Sequence, residues 1–242
     1  MYGLRFRNSH SYINFGLTML SKKRIVLPES ADEYIDIPGR DGSILFPGAL
    51  KDRIEEIEFT MPSNTLPELR KLSRRVAAWL YSPMWEALIF DDEPDLYYMA
   101  KVANQLDLEQ TVAVGRFSVQ FRYNPVALSI TGDAWQQAVS AGTTYIITNN
   151  GTYKALPVIT ITASSQITGF SLTVEDKTLA YAGTLEAGQN LVIDCQKYQA
   201  TKAGASAMKD ISGNFPVLYT GDNDVSINKN CTLNITWRKR WL

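Results

Sequence analysis

Residues 115–123 read GRFSVQFRY. Phe117, Val119, Phe121 and Tyr123 alternate with Arg116, Ser118, Gln120 and Arg122. A period of two is that of a strand with one buried and one solvated face. Upstream, EEIEFTM at 55–61 repeats the pattern, with Ile57, Phe59 and Met61 on one side and Glu56 and Glu58 on the other. WEALIF (85–90) and LYYMAKV (96–102) flank DDEPD (91–95), an acidic turn containing Pro94. The pair reads as a hairpin whose carboxylates are solvated.

A single helix interrupts this β-rich half, from about Leu66 to Leu80. Thr65 and Glu68 have capping-box spacing and Pro67 lies in the first turn. Leu69, Leu72, Val76, Trp79 and Leu80 form one apolar stripe, and Arg70, Lys71, Arg74 and Arg75 occupy the polar side. Ser82-Pro83 stops the helix. Arg70/Arg74 and Lys71/Arg75 are like-charge pairs four apart, which cost an isolated helix roughly 0.2–0.5 kcal/mol each. They read as a solvated face or as a cationic surface meeting an acidic neighbour in an assembly.

Composition changes after RYNPVAL. TGDAWQQAVSAGTTYIITNNGT (131–152) is small and polar, and 131–144 reads as a linker. From Tyr145 helix signals vanish. Short strand patterns recur between turn signals: YIITNNGT, LPVITITA, GFSLTVED, TLAYAGTLEAGQNLVIDC, FPVLYTGDNDVSI and CTLNITWRKRW. Such spacing predicts an antiparallel β-sandwich over 145–242. The fold class is therefore mainly β with one notable helix, divided into 1–130, a linker and 145–242.

The 242 residues suffice for one large domain or two ordinary ones, and the net charge is −1. Neither half is basic enough for a general nucleic-acid binder. The N-terminal sequence lacks a signal-peptide core, and no stretch reaches the roughly 20 apolar residues of a membrane span. A soluble protein made in the cytoplasm is expected, without membrane insertion. Cys195 and Cys231 each fall in phase with apolar strand residues and read as reduced core thiols.

Catalytic chemistry finds little purchase. His10 is the sole histidine, lies in the polar segment RNSHSY and reads as a surface residue. A P-loop, a dinucleotide fingerprint and a His-Glu-x-x-His helix are all missing from the sequence. Asp91, Asp92, Glu93 and Asp95 cluster on a turn rather than in the apolar setting that raises a catalytic acid's pKa. No enzyme activity, metal or cofactor is expected.

IDIPGRDGSILFPG, residues 35–48, carries two turn signals in succession. Pro38-Gly39 suits the centre of a type II turn and Asp41-Gly42 is a second reversal, so Arg40 and Asp41 are pushed outward. On the residues alone this is a hairpin tip whose charges are solvated or face a partner.

Several stretches together resemble the distal tail protein (Dit) family of siphovirus-type bacteriophages and prophage tails. They are NFG (14–16), IPGRDG (37–42), EALIFDDEPDLYYMAKV (86–102), NNGTYKALPVITI (149–161), GDNDVSI (221–227) and ITWRKRW (235–241). They follow the family's order and span nearly the whole chain. The resemblance implies an N-terminal ring domain, six copies of which close around the DNA channel, and a C-terminal galectin-like sandwich. It implies a place at the distal end of the virion tail, joining the tail tube to tip, baseplate hub or receptor-binding proteins, with DNA passing unbound through the pore. It also places residues around Val26–Ile44 in an arm that reaches the neighbouring subunit, with Pro38, Gly39, Arg40, Asp41 and Gly42 at the subunit interface. A carbohydrate-binding adhesin is the alternative, although the second half has no histidine for a galectin-type sugar site.

Overall fold

The computed structural model describes residues 3–111 and 114–242. The chain divides into two units, Met1–Ala127 with Leu242, and Leu128–Trp241.

In the first unit the strands are β1 (Leu4–Phe6), β2 (Ser9–His10), β3 (Thr18–Lys22), β4 (Glu33–Asp36), β5 (Ser43–Phe46), β6 (Arg53–Met61), β7 (Glu86–Phe90), β8 (Leu96–Val102), β9 (Glu109–Thr111) and β10 (Val114–Tyr123). The helices are α1 (Ser11–Phe15) and α2 (Leu66–Leu80). One antiparallel sheet runs β2-β1-β7-β8-β10-β6-β3, with β9 also paired to β10. β6 and β10 pair from Arg53↔Tyr123 to Met61↔Gly115, so their buried faces coincide: Ile57, Phe59, Phe117, Val119 and Phe121 are at most 5% exposed.

α2 has the predicted bounds and cap. Thr65 accepts from the Glu68 amide at 3.4 Å, and Leu69, Val76, Trp79 and Leu80 are buried. Trp79 stacks on Phe15 with ring centroids 4.7 Å apart, and its indole N–H donates to the Phe6 carbonyl at 2.8 Å. The short helix α1 was invisible to periodicity because five residues hold barely one turn.

His10 is not a surface residue. It is 9% exposed and caps α1: Nδ1 accepts from the Tyr12 and Ile13 amides at 3.0 and 3.2 Å. With Nδ1 accepting, the hydrogen sits on Nε2, which faces both Asp91 oxygens at 3.0 Å. A histidine in a polar segment reads as exposed because its partner is distant in sequence.

The second unit comprises β11 (Ala127–Ser129, beginning one residue earlier), β12 (Asp133–Val139), β13 (Thr144–Asn149), β14 (Val158–Thr162), β15 (Ile167–Val174), β16 (Lys177–Leu185), β17 (Asn190–Asp194), β18 (Gln199–Lys202), β19 (Ala205–Ser206), β20 (Ile211–Gly213), β21 (Gly221–Ile227), β22 (Cys231–Trp237) and β23 (Arg240–Trp241). Two antiparallel sheets, β12-β22-β14-β17-β18-β19 and β13-β21-β15-β16-β20, contribute to a single core. Ile159, Ile161, Leu191, Ile193 and Leu233 come from one sheet, and Ile147, Leu172, Val174, Leu179 and Val225 from the other.

The segment 131–144 is not simply a linker. Asp133–Val139 pairs along its whole length with β22. As the edge strand of its sheet it needs few apolar side chains, and its Gln and Ala residues disguised the alternation. Two motif asparagines have structural duties. Asn149 and Asn223 are fully buried. Asn149 bonds the Tyr153 and Leu218 carbonyls, and Asn223 accepts from Tyr219 and donates to Gly221.

Cys195 and Cys231 are free and buried in the sandwich core. Burial pushes their thiols up to about 12 and about 11. Since the thiolate is the reactive form, both should resist an aromatic disulfide reagent at pH 8 in the native protein and react promptly in denaturant. Native reaction at the rate of a free thiol would contradict this core placement.

Candidate assembly surface

Among the described residues β4 and β5 pair only with each other, in the register Glu33↔Phe46 to Asp36↔Ser43. The antiparallel ladder continues outside the strands. Ser30 opposes Leu50, the Ala31 amide donates to Ala49 at 2.9 Å, and Lys51 both donates through its amide to Glu29 and pairs with it at 2.7 Å. The projection is therefore an arm from Glu29 to Lys51, which begins after the expected Val26 and ends beyond the expected Ile44. Gly48 lets its two sides meet, since a Cβ there would lie 2.0 Å from the Ala31 carbonyl oxygen.

Cross-strand partners share a face, so one face carries Glu33, Ile35, Ile44 and Phe46, and the other Tyr34, Asp36, Ser43 and Leu45. Both faces are apolar and both are open: Tyr34 is 65% exposed, Ile35 49%, Leu45 51% and Phe46 50%. A two-stranded ribbon is marginal in water by itself, and its unpaired edges invite another chain.

At the tip the Arg40 amide donates to the Ile37 carbonyl at 3.1 Å, closing a turn over Pro38 and Gly39. Gly39 has φ +81°, as a type II turn requires at that position, and Gly42 has φ +78°. Arg40 and Asp41 are exposed, together with Pro38, Gly39 and Gly42.

The root of the arm is built from charges that the sequence pattern did not single out. Arg53 and Glu55 continue the inward face of β6 and are 4% and 1% exposed. Where the chain leaves β3, they grip one residue: Glu55 accepts the Ile25 amide at 2.8 Å and Arg53 donates to the Ile25 carbonyl at 2.9 Å. Burial first, then the Glu55 carboxylate, raise the Tyr123 hydroxyl's pKa, so it stays protonated there. The only sequence signal was a charge at the inward phase of an otherwise apolar strand.

Three carboxylates of the acidic turn at 91–95 likewise have partners within the chain. Asp91 accepts from His10 and from the Gly3 amide at 2.7 Å, Asp92 pairs with Lys22 at 2.6 Å, and Glu93 pairs with Arg24. Burial alone would raise the Asp92 carboxyl, but the hydrogen bond and charge of Lys22 outweigh it and hold it below its ordinary value. The stabilisation from that pair is thus full above the ordinary carboxylate range and fades as pH falls through the lowered value. The carboxylates anchor the segment that feeds the arm. Among the described residues no group of His, Cys, Asp and Glu could hold a metal ion.

Residues 13–123 match the phage tail protein RIFT-related domain, and residues 150–241 match the siphovirus-type tail component, C-terminal domain. The chain belongs to the siphovirus distal tail protein family. The crystal structure of the SPP1 Dit (gp 19.1) protein, described as a hub adsorption apparatus of phages infecting Gram-positive bacteria, superposes with a TM-score of 0.85 at 13% identity, covering 100% of both chains. The baseplate of phage p2 in its activated conformation with strontium is more distant, with a TM-score of 0.46 at 10% identity over 97% of each chain. No curated protein sequence matches. The family is structural and not known for enzymes, and its place is in the tail of the virion.

Proposed function

We propose that six copies of this chain close into a ring at the distal end of the tail, each gripping the next with its arm, around a pore that DNA crosses without specific binding. The observation that carries this reading is the arm, apolar and exposed on both faces. Covering a large apolar side chain contributes about 1.5–3 kcal/mol relative to leaving it in water, so the ribbon gains greatly from a neighbour. A ring needs a heterologous contact, in which one patch meets a different patch on the next copy, and a projecting arm supplies one half of it. The unit ending at Ala127 acts as the ring domain. The galectin-like sandwich acts as a platform for tip, baseplate or receptor-binding proteins, and the ring meets the tail tube.

Pro38–Gly42 leads the arm into the neighbour, with Arg40 and Asp41 pairing across the boundary. The double variant Arg40→Ala/Asp41→Ala should raise the concentration needed for assembly several-fold without changing the melting temperature. Assembly equal to the parent's removes the tip from the interface. The adhesin alternative is disfavoured by the aromatic residues, since Trp237 is buried and Trp135 packs on the sandwich core beside Tyr145. Low-micromolar binding to a glycan array would favour it instead.

A further inference from the structure

If the arm grips a neighbour, some surface must receive it. The arm from Glu29 to Lys51 has five carboxylates, Glu29, Asp32, Glu33, Asp36 and Asp41, against the two cations Arg40 and Lys51. Glu29 is taken by Lys51, and Asp32 by Ser30 and the Gly48 amide. Glu33, Asp36 and, at the tip, Asp41 remain, and Glu33 and Asp36 lie one on each face of the ribbon, beside its apolar side chains.

The opposite composition occurs on α2. Its outward side carries Arg70, Lys71, Arg74 and Arg75 against the single acid Glu68. Arg75 is engaged within the chain, bonding the Asn14 carbonyl at 3.3 Å and lying over the Phe15 ring. Among the described residues, no carboxylate lies within ion-pair distance of Arg70, Lys71 or Arg74. These cations repel one another at four-residue spacing, and an acidic partner would relieve that repulsion. Beside them lies a groove of about 300 Å³, bordered by Met61, Arg74, Ala77, Leu106, Asp107 and Leu108. Its lining is mainly apolar and includes Arg74, while Asp107, its one carboxylate among the described residues, accepts from the Gln105 side chain at 3.0 Å. The surface therefore offers what the arm lacks, positive charge next to an apolar recess.

We propose that the cationic face of α2 and the adjoining groove receive the arm of the next copy. Glu33 and Asp36 meet Arg70, Lys71 and Arg74, and the arm's large apolar side chains enter the groove. The assignment rests on the ring reading and names the second half of its heterologous contact. Opposed charges would fix the direction and register of the arm more than its affinity.

Complementary variants test it. One chain carries Arg70→Glu/Lys71→Glu/Arg74→Glu and keeps its arm, while the other lacks the arm and keeps its helix. Neither should assemble alone, but an equimolar mixture should form one-to-one pairs and nothing larger, the intact arm of the first seated on the intact helix of the second. Charge exchange tests the ion pairs themselves: Glu33→Lys/Asp36→Lys mixed with the helix-reversed chain should assemble, while each alone stays at least ten-fold weaker in assembly than the parent. Circular dichroism and melting curves confirm that each variant is folded. If the helix-reversed chain forms the parental ring while the arm-deleted chain does not, the acceptor lies elsewhere and the ring reading stands. If the arm-deleted chain also forms a ring, or the parent never assembles, the arm reading falls and this assignment with it.

Discussion

Cutting away the arm should leave a folded chain that no longer assembles. Ser30 and Leu50 already oppose each other across the ladder, so replacing residues 31–49 by Asn-Gly closes them with a two-residue hairpin turn. The side chains removed are those of an exposed ribbon outside the main sheet, and they make little contribution to the monomer's core. The melting temperature should therefore shift by only a few degrees. Assembly should disappear, because the deletion removes the ribbon's exposed apolar side chains, Tyr34, Ile35, Leu45 and Phe46 among them, at once. Light scattering on the variant and the parent reads the result, and a variant that keeps the parental mass would show that the arm is not what joins the copies.

The second large effect concerns the root. Glu55→Ala should destabilise the protein by about 1.5–3 kcal/mol, the usual worth of a hydrogen bond to a charged group whose buried partner is then left unsatisfied. The Ile25 amide loses its acceptor at a position where the Glu55 side chain is 1% exposed. Glu55→Gln keeps an acceptor for Ile25 while removing the charge, so it should cost less than the alanine. Urea unfolding at neutral pH measures both, and an alanine variant within about 1 kcal/mol of the parent would mean that the grip on Ile25 contributes little. The two variants also separate position from presence, since a folded Glu55→Gln chain tests whether a loosened root lowers assembly while the arm itself is intact.

What the sequence disclosed depended on how local the cause was. The alternation in GRFSVQFRY and EEIEFTM maps directly onto the facing strands β10 and β6, because a strand's two faces are written every second residue. Thr65, Pro67 and the stripe from Leu69 to Leu80 specify a helix within one stretch of chain. The turn at Pro38-Gly39 was legible for the same reason, since one hydrogen bond and one positive φ define it. Long-range partnerships were not legible. His10 finds Asp91, Lys22 finds Asp92 and Ile25 finds Arg53 and Glu55 only after the sheet has formed. Asp133–Val139 failed for another reason, as an edge strand needs little hydrophobicity when its neighbour supplies the inward side chains Cys231, Leu233, Ile235 and Trp237. The family resemblance supplied the role proposed for the arm, whereas its apolar character on both faces became visible only with the register of β4 and β5.

The most direct test of the central claim is the native mass of the purified protein by light scattering over a concentration series. A species at six times the 27.1 kDa chain mass is the predicted result. A 27.1 kDa monomer at every concentration would contradict a ring built by this chain's own arm.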